Sequence, residues 1–302
     1  MRGWPIGAPR GRGPGRYRKV ALLALALAVA LAGCAGVPSG AARRQAAEAL
    51  AASGRLRPLI LDTGPACRPP LAAYARNGPG QTLTVYIEGD GQAYSDRFTP
   101  ANDPTPADPL ALRLAGLDPG QKVAYLARPG QYLPPEALAG CDLALWTTAR
   151  YGPQALACLD AALDAAKTAL GATSLRLVGY SGGGALAVLL AAGRPDVTGL
   201  ATVAANLDTE AWTALHHVPP LAASRNPAEA AAAVAHIPQA HYAGSNDRNT
   251  PPWLCERFLA RLPAGADARC LVIEGAGHHD GLAAAWPALV PGLPPSTPPD
   301  RP

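Results

Sequence analysis

The sequence has no apolar run long enough to cross a bilayer: Val20 to Ala32, built only of Ala, Leu and Val, stops at 13 residues, where a spanning helix needs about 20. It also has neither a Cys-x-x-Cys nor a His-Glu-x-x-His pattern, so a zinc site lacks its usual ligand spacing and no metal is expected. A basic stripe interleaved with aromatics is missing too, which disfavours nucleic acid as a partner. There is no internal repeat to suggest a solenoid or a propeller.

What stands at the N-terminus explains the short run. Arg2, Arg10, Arg12, Arg16, Arg18 and Lys19 precede it, giving a basic n-region followed by an h-region of signal-peptide length. The run leads into Leu31-Ala32-Gly33-Cys34, which resembles the lipobox of bacterial lipoproteins, where cleavage precedes a cysteine that carries lipid. The expectation is a signal peptide over 1–33, a lipidated Cys34 that anchors the chain to a membrane, and sorting to the outer membrane because Ala35 replaces the aspartate that commonly retains lipoproteins at the inner one. Taking six leader residues from the 26 basic ones leaves 20 against 22 acidic, a net charge of about −2, so the high isoelectric point of the whole chain carries no message about an anionic partner.

The remaining length suits one large domain. Residues 34–57 are alanine-rich and read either as a short helix or as a tether, the domain proper is expected over 58–290, and the proline-rich 291–302 is expected to be disordered. Seven apolar runs have strand length: 59–61, 82–87, 122–126, 174–178, 197–204, 239–242 and 268–273. Helical patterns over 154–170, 183–192 and 252–262 fall between the later ones, and this alternation predicts a mainly parallel sheet covered on both faces. The segment TPANDPTPADP at 99–109 has too many prolines for a regular element and is expected to cross the top of the sheet. Besides Cys34 there are five cysteines, and in an oxidising compartment local pairing favours Cys255 with Cys270 and Cys141 with Cys158.

The residues that carry chemistry follow strands. LRLVGYSGGG at 175–184 places Ser181 between Gly179 and Gly183, after a strand and before a helix: the G-x-S-x-G nucleophile elbow. The N–H of Gly182 opens that helix, where the dipole favours an oxyanion. A serine hydroxyl needs a base, and the base needs a carboxylate. Asp247 in AGSNDRNTPP and His278 in VIEGAGHHD each follow a strand, in the order Ser, Asp, His. His279 is the second choice of base, and Asp280, adjacent to it, is poorly placed as the acid. In TVYIEGDGQAY at 84–94, the N–H of Asp90, with Gly91 as near alternative, is expected to complete the oxyanion hole. Glu88 and Asp90 as a glycosidase acid pair are set aside, because two carboxylates on one turn leave no gap for a sugar.

The order of these residues over about 80–290 resembles the α/β-hydrolase superfamily, and YIEGDG, DPTPADPLALRLA, YLARPGQY, GYSGGG and NPAEA are similar to a group of bacterial hydrolase-like lipoproteins. The resemblance implies an α/β-hydrolase fold, a Ser–His–Asp acyl transfer with no metal or organic cofactor, and a small-molecule or lipid-like acyl substrate. It also implies a lid position at 208–227, where His216 and His217 either face the substrate or are loop histidines. A non-catalytic scaffold of the same fold is opposed by the intact set of three residues, and a serine peptidase by the little room left for a substrate-selecting domain.

Overall fold

The computed structural model describes residues 38–294, together with Met1 and Gly3. The expected signal peptide, Cys34 and residues 295–302 of the expected tail lie outside the described residues. The compact unit begins at Ser39. Its strands are β1 (Arg57–Pro58), β2 (Ala73–Arg76), β3 (Thr82–Ile87), β4 (Val123–Leu126), β5 (Ser174–Tyr180), β6 (Val197–Val203), β7 (Gln239–Gly244) and β8 (Ala268–Ile273). They form one sheet in the order β1-β2-β4-β3-β5-β6-β7-β8. The pairs β1–β2 and β2–β4 are antiparallel, and every other pair is parallel.

Period-two alternation decides which side chain goes to which face. Leu83, Val85 and Ile87 of β3, with Leu175 and Leu177 of β5, point to the cluster completed by α3 (Pro153–Leu170), α4 (Gly182–Ala191) and α6 (Pro252–Leu259). Tyr86, Val178 and Tyr180 point the other way, toward α1 (Gly40–Ser53), α2 (Leu110–Leu117) and α7 (Leu282–Leu289). Both faces are therefore covered, as parallel strands require. Helix α5 (Thr209–His216) lies between β6 and β7 in sequence. None of the described helices is long and apolar enough to cross a membrane.

The ends of the sheet and of the domain differ from the sequence expectation. The run 59–61 is not a strand: the edge pairing uses Arg57 and Pro58 instead, and Ile60 is exposed. Strand β2, AYAR, was missed because four residues ending in arginine give no apolar run; Arg76 is held by the carbonyls of Gly54, Asp118 and Gly120. Of the two readings of 34–57, the described part takes the helix: α1 is capped by Ser39 and buries Ala47 and Ala51 in the core. Its C-terminal Gly54 lies so close to Gly116 of α2 that a Cβ there would meet the Gly116 backbone. At the other end Leu293 is buried, so the domain runs past residue 290.

The cysteine pairing is corrected in one place. Cys255 on α6 joins Cys270 on β8 as expected, but Cys158 on α3 joins Cys67, and Cys141 is free. Cys158 faces the core, and the loop before β2 brings Cys67 alongside, with Cα atoms 4.4 Å apart. Nearness in sequence was the wrong guide. Cys141 instead turns its thiol to the carbonyl of Ala137 at 3.6 Å. Non-reducing peptide mapping should recover Cys67–Cys158 and Cys255–Cys270 with Cys141, among the described cysteines, alkylated, and Cys67→Ser should lower stability by about 4 to 5 kcal/mol, the chain-entropy value for a loop of 91 residues. A Cys141–Cys158 peptide, or an unchanged denaturation midpoint, would contradict this.

Candidate active site

Strand β5 ends at Tyr180 and α4 begins at Gly182, which leaves Ser181 to make the turn at φ 51°, ψ −121°. A serine there is strained, and its backbone is held on both sides: its N–H donates to Val203 at 2.9 Å, and its carbonyl accepts from Gly184 at 3.0 Å and Asn206 at 3.2 Å. The flanking glycines are steric requirements. A Cβ on Gly179 would strike the Gly183 carbonyl, and one on Gly183 would strike the carbonyls of Ile87 and Glu88.

The loops after β7 and β8 bring the other two residues to the serine. Ser181 Oγ lies 3.1 Å from His278 Nε2, and His278 Nδ1 lies 2.9 Å from Asp247 Oδ2. A carboxylate only accepts, so Nδ1 carries the proton and Nε2 presents its lone pair to Ser181. Asp247 is fixed in turn: its Oδ1 accepts N–H bonds from Asn249 at 2.8 Å and Thr250 at 2.9 Å, and its Oδ2 is 2.8 Å from Thr250 Oγ1. Burial pushes the Asp247 carboxyl up, but the hydrogen bonds from His278 and Thr250 outweigh it and hold it below the ordinary aspartate value.

His279 takes no part in this chain of contacts. Its Nδ1 is 2.8 Å from Tyr180 Oη, which also donates to the carbonyl of His278 at 3.1 Å. Burial and the neighbouring His278 push the His279 imidazole down. Asn249, which sequence reading overlooked, places its amide Nδ2 2.9 Å from His278 Nε2. Two donors thus face one lone pair.

Residues 88–90 pack against the elbow. A Cβ on Gly89 would lie 3.2 Å from Ser181 Cβ, and one on Gly182 would strike Asp90 Oδ1. Among the described residues the N–H of Asp90 meets no acceptor, which leaves it available as a donor. Glu88 occupies the local position with its own bonds: Oε1 accepts from Gly89 N–H at 2.9 Å and Ala111 N–H at 3.4 Å, and burial pushes this carboxyl up to about 7. The Asp90 side chain is clamped by Arg128, by Arg150 Nη1 at 2.6 Å and by Tyr151 Oη at 3.2 Å. Burial acts to raise it, yet the two guanidinium groups bring it down to about 2. Nothing local in the sequence points to this clamp, because Arg128 and Arg150 stand 38 and 60 residues away.

The clamp has a pH signature. A carboxyl lowered on folding adds stability in full above its unfolded value near 3.8, and loses it as pH falls toward about 2. Asp90→Asn leaves two buried arginines without a counter-charge and should lower stability by about 3 to 5 kcal/mol at pH 7. That deficit should shrink in denaturation measurements carried toward pH 2, where the unsubstituted protein loses the same ion pairs. A deficit unchanged across the series would rule the clamp out as its source.

An eight-stranded sheet in this order, a sharp turn bearing a serine after β5, a carboxylate after β7 and an imidazole after β8 form one pattern. This is the α/β-hydrolase fold. No protein-family model matches the sequence, and no curated protein matches it. Solved structures do share the α/β-hydrolase architecture. Est1E from Butyrivibrio proteoclasticus is similar at a TM-score of 0.53 and 15% identity, over 78% of this chain and 96% of that one. A puromycin hydrolase is similar at 0.55 and 19%, over 81% of this chain and 40% of its own. A puromycin-hydrolyzing peptidase of Mycobacterium tuberculosis is similar at 0.54 and 18%, over 78% and 37%. The chain thus spans about two fifths of the length of these last two proteins, and at such identities the likeness concerns the fold alone.

Proposed function

We propose that this protein is a serine hydrolase that cleaves an ester or another acyl compound through an acyl-enzyme. One observation carries the reading: the unbroken series Ser181 Oγ, His278 Nε2, His278 Nδ1, Asp247 Oδ2, with steps of 3.1 Å and 2.9 Å between residues. Ser181 attacks the carbonyl carbon as His278 takes its proton at Nε2, and Asp247 stabilises the imidazolium that results. The N–H groups of Gly182 and Asp90 meet the oxyanion. His278 then protonates the leaving group and, in the second half, removes a proton from water so that the acyl group leaves as the acid.

The leader supports a place for this chemistry. The basic residues, the 13-residue apolar run and Leu-Ala-Gly-Cys are the features of a lipoprotein signal, so the enzyme is held to the envelope by lipid on Cys34, with Ala35 favouring the outer membrane. Two or three acyl chains make such attachment persistent where one would be marginal. Mass spectrometry of the mature N-terminus tests it: the expected species begins at a lipidated Cys34, and an unmodified terminus elsewhere overturns it.

For the chemistry, the purified domain should react with a fluorophosphonate and should turn over members of an acyl-ester panel. Peptide mapping should find the phosphonyl adduct on Ser181. A folded protein that neither reacts nor hydrolyses any ester would instead support a binding module.

A further inference from the structure

From the serine-hydrolase reading, on which this rests, we infer that the substrate carries a bulky uncharged apolar group, aryl or branched, which sits in the cleft between residues 94–98 and α5 with its following turn. This cleft has a volume of about 470 Å³, and Tyr94, Phe98, Trp212, Val218, Pro219 and Leu221 form its walls. That size and lining are those of a small-molecule site. Phe98 is 69% exposed, an aromatic ring left to water at the rim.

Two separate series of contacts run from the walls to the reacting atoms. On one side, His216 Nε2 is 2.8 Å from the carbonyl of Asn249, whose side chain touches His278 Nε2. On the other, Arg150 at the cleft wall binds Asp90, which lies against Gly182, the residue after the nucleophile. These contacts tie the cleft walls to the residues around Ser181, and on this inference the group seated in the cleft belongs to the molecule whose carbonyl lies at Ser181.

Most of the charged groups around the cleft are engaged within the protein. Arg150 is paired with Asp90, Arg97 donates to the carbonyls of His216 and His217 at the end of α5, and Asp96 accepts the N–H groups of Phe98 and Thr99. Arg97 also stacks on the Phe98 ring, 5.4 Å from its centre. The walls recognise an apolar body, and a charged substituent there would lose water while meeting at most the exposed Arg97, whose Nη2 is already engaged.

The test uses p-nitrophenyl esters with acyl groups from acetyl to phenylpropionyl, acetates of alcohols from methyl to naphthyl, and carboxylate-bearing analogues of the largest member of each series. In at least one series kcat/KM should rise roughly tenfold or more toward the aryl member, and the charged analogue should lose that gain. Val218→Trp, which narrows the cleft from a partly exposed position, and Phe98→Ala, at the exposed rim, should each erase most of the gain while methyl acetate, which has no group to reach the cleft, stays within about twofold. Thermal denaturation of both variants checks that they remain folded. Labelling of Ser181 with turnover of small esters, but no dependence on size or on either variant, overturns the cleft and leaves the hydrolase reading standing. A folded protein with no labelling and no turnover of any ester overturns both.

Discussion

Ser181→Ala should abolish fluorophosphonate labelling and lower ester hydrolysis by roughly 10³-fold or more. The effect is expected to be large because Ser181, at the tip of the elbow, places its hydroxyl oxygen 3.1 Å from His278 Nε2. The variant should fold. The backbone at Ser181 is held by hydrogen bonds with Val203, Gly184 and Asn206, none of which uses the hydroxyl, and alanine meets about the same strain as serine at positive φ. Residual hydrolysis would come from the N–H groups of Gly182 and Asp90, which the substitution leaves in place. Labelling that survives at an unchanged rate would move the nucleophile elsewhere.

The second large effect separates the two histidines. His278→Ala should cost nearly as much as loss of the serine, because the members of such a set act as a unit. His279→Ala should retain most activity, since its ring faces Tyr180 and not the nucleophile. Asp247→Asn should fall by about 10⁴-fold, because an amide at that place can hold the imidazole in the wrong tautomer. Steady-state kinetics of the three variants on one ester decide the matter, and activity that tracks His279 instead of His278 would reassign the base.

What could be read from the sequence was local. Ser181, Asp247 and His278 each stand a few residues beyond a strand, and the apolar runs of β3 to β8 announced those strands, so chain order alone brought the three together. Helix α5 lies inside the stretch 208–227 given as a lid position, and its eight residues, followed after His217 and Val218 by Pro219 and Pro220, make too short a pattern to announce a helix. The Arg128–Asp90–Arg150 clamp and the Cys67–Cys158 link were not legible, since both join residues far apart whose meeting depends on the register of the whole sheet. Asn249 lay within the quoted AGSNDRNTPP motif, yet only the turn that carries Asp247 aims its amide at His278.

The two ends of the sheet differ in how they would receive another chain. At the β1 end the ladder is two residues long and includes Pro58, which has no N–H to offer, so little template exists there for strand addition. At the other end β8 presents six residues whose outer side pairs with no strand among the described residues, including the half-exposed Val272. Arg269 lies on that strand and donates to the carbonyl of Gly292, and the link from Cys270 to Cys255 fastens the strand to α6. Edge-to-edge growth therefore has one available face, and reductant is the condition that loosens the strand which guards it.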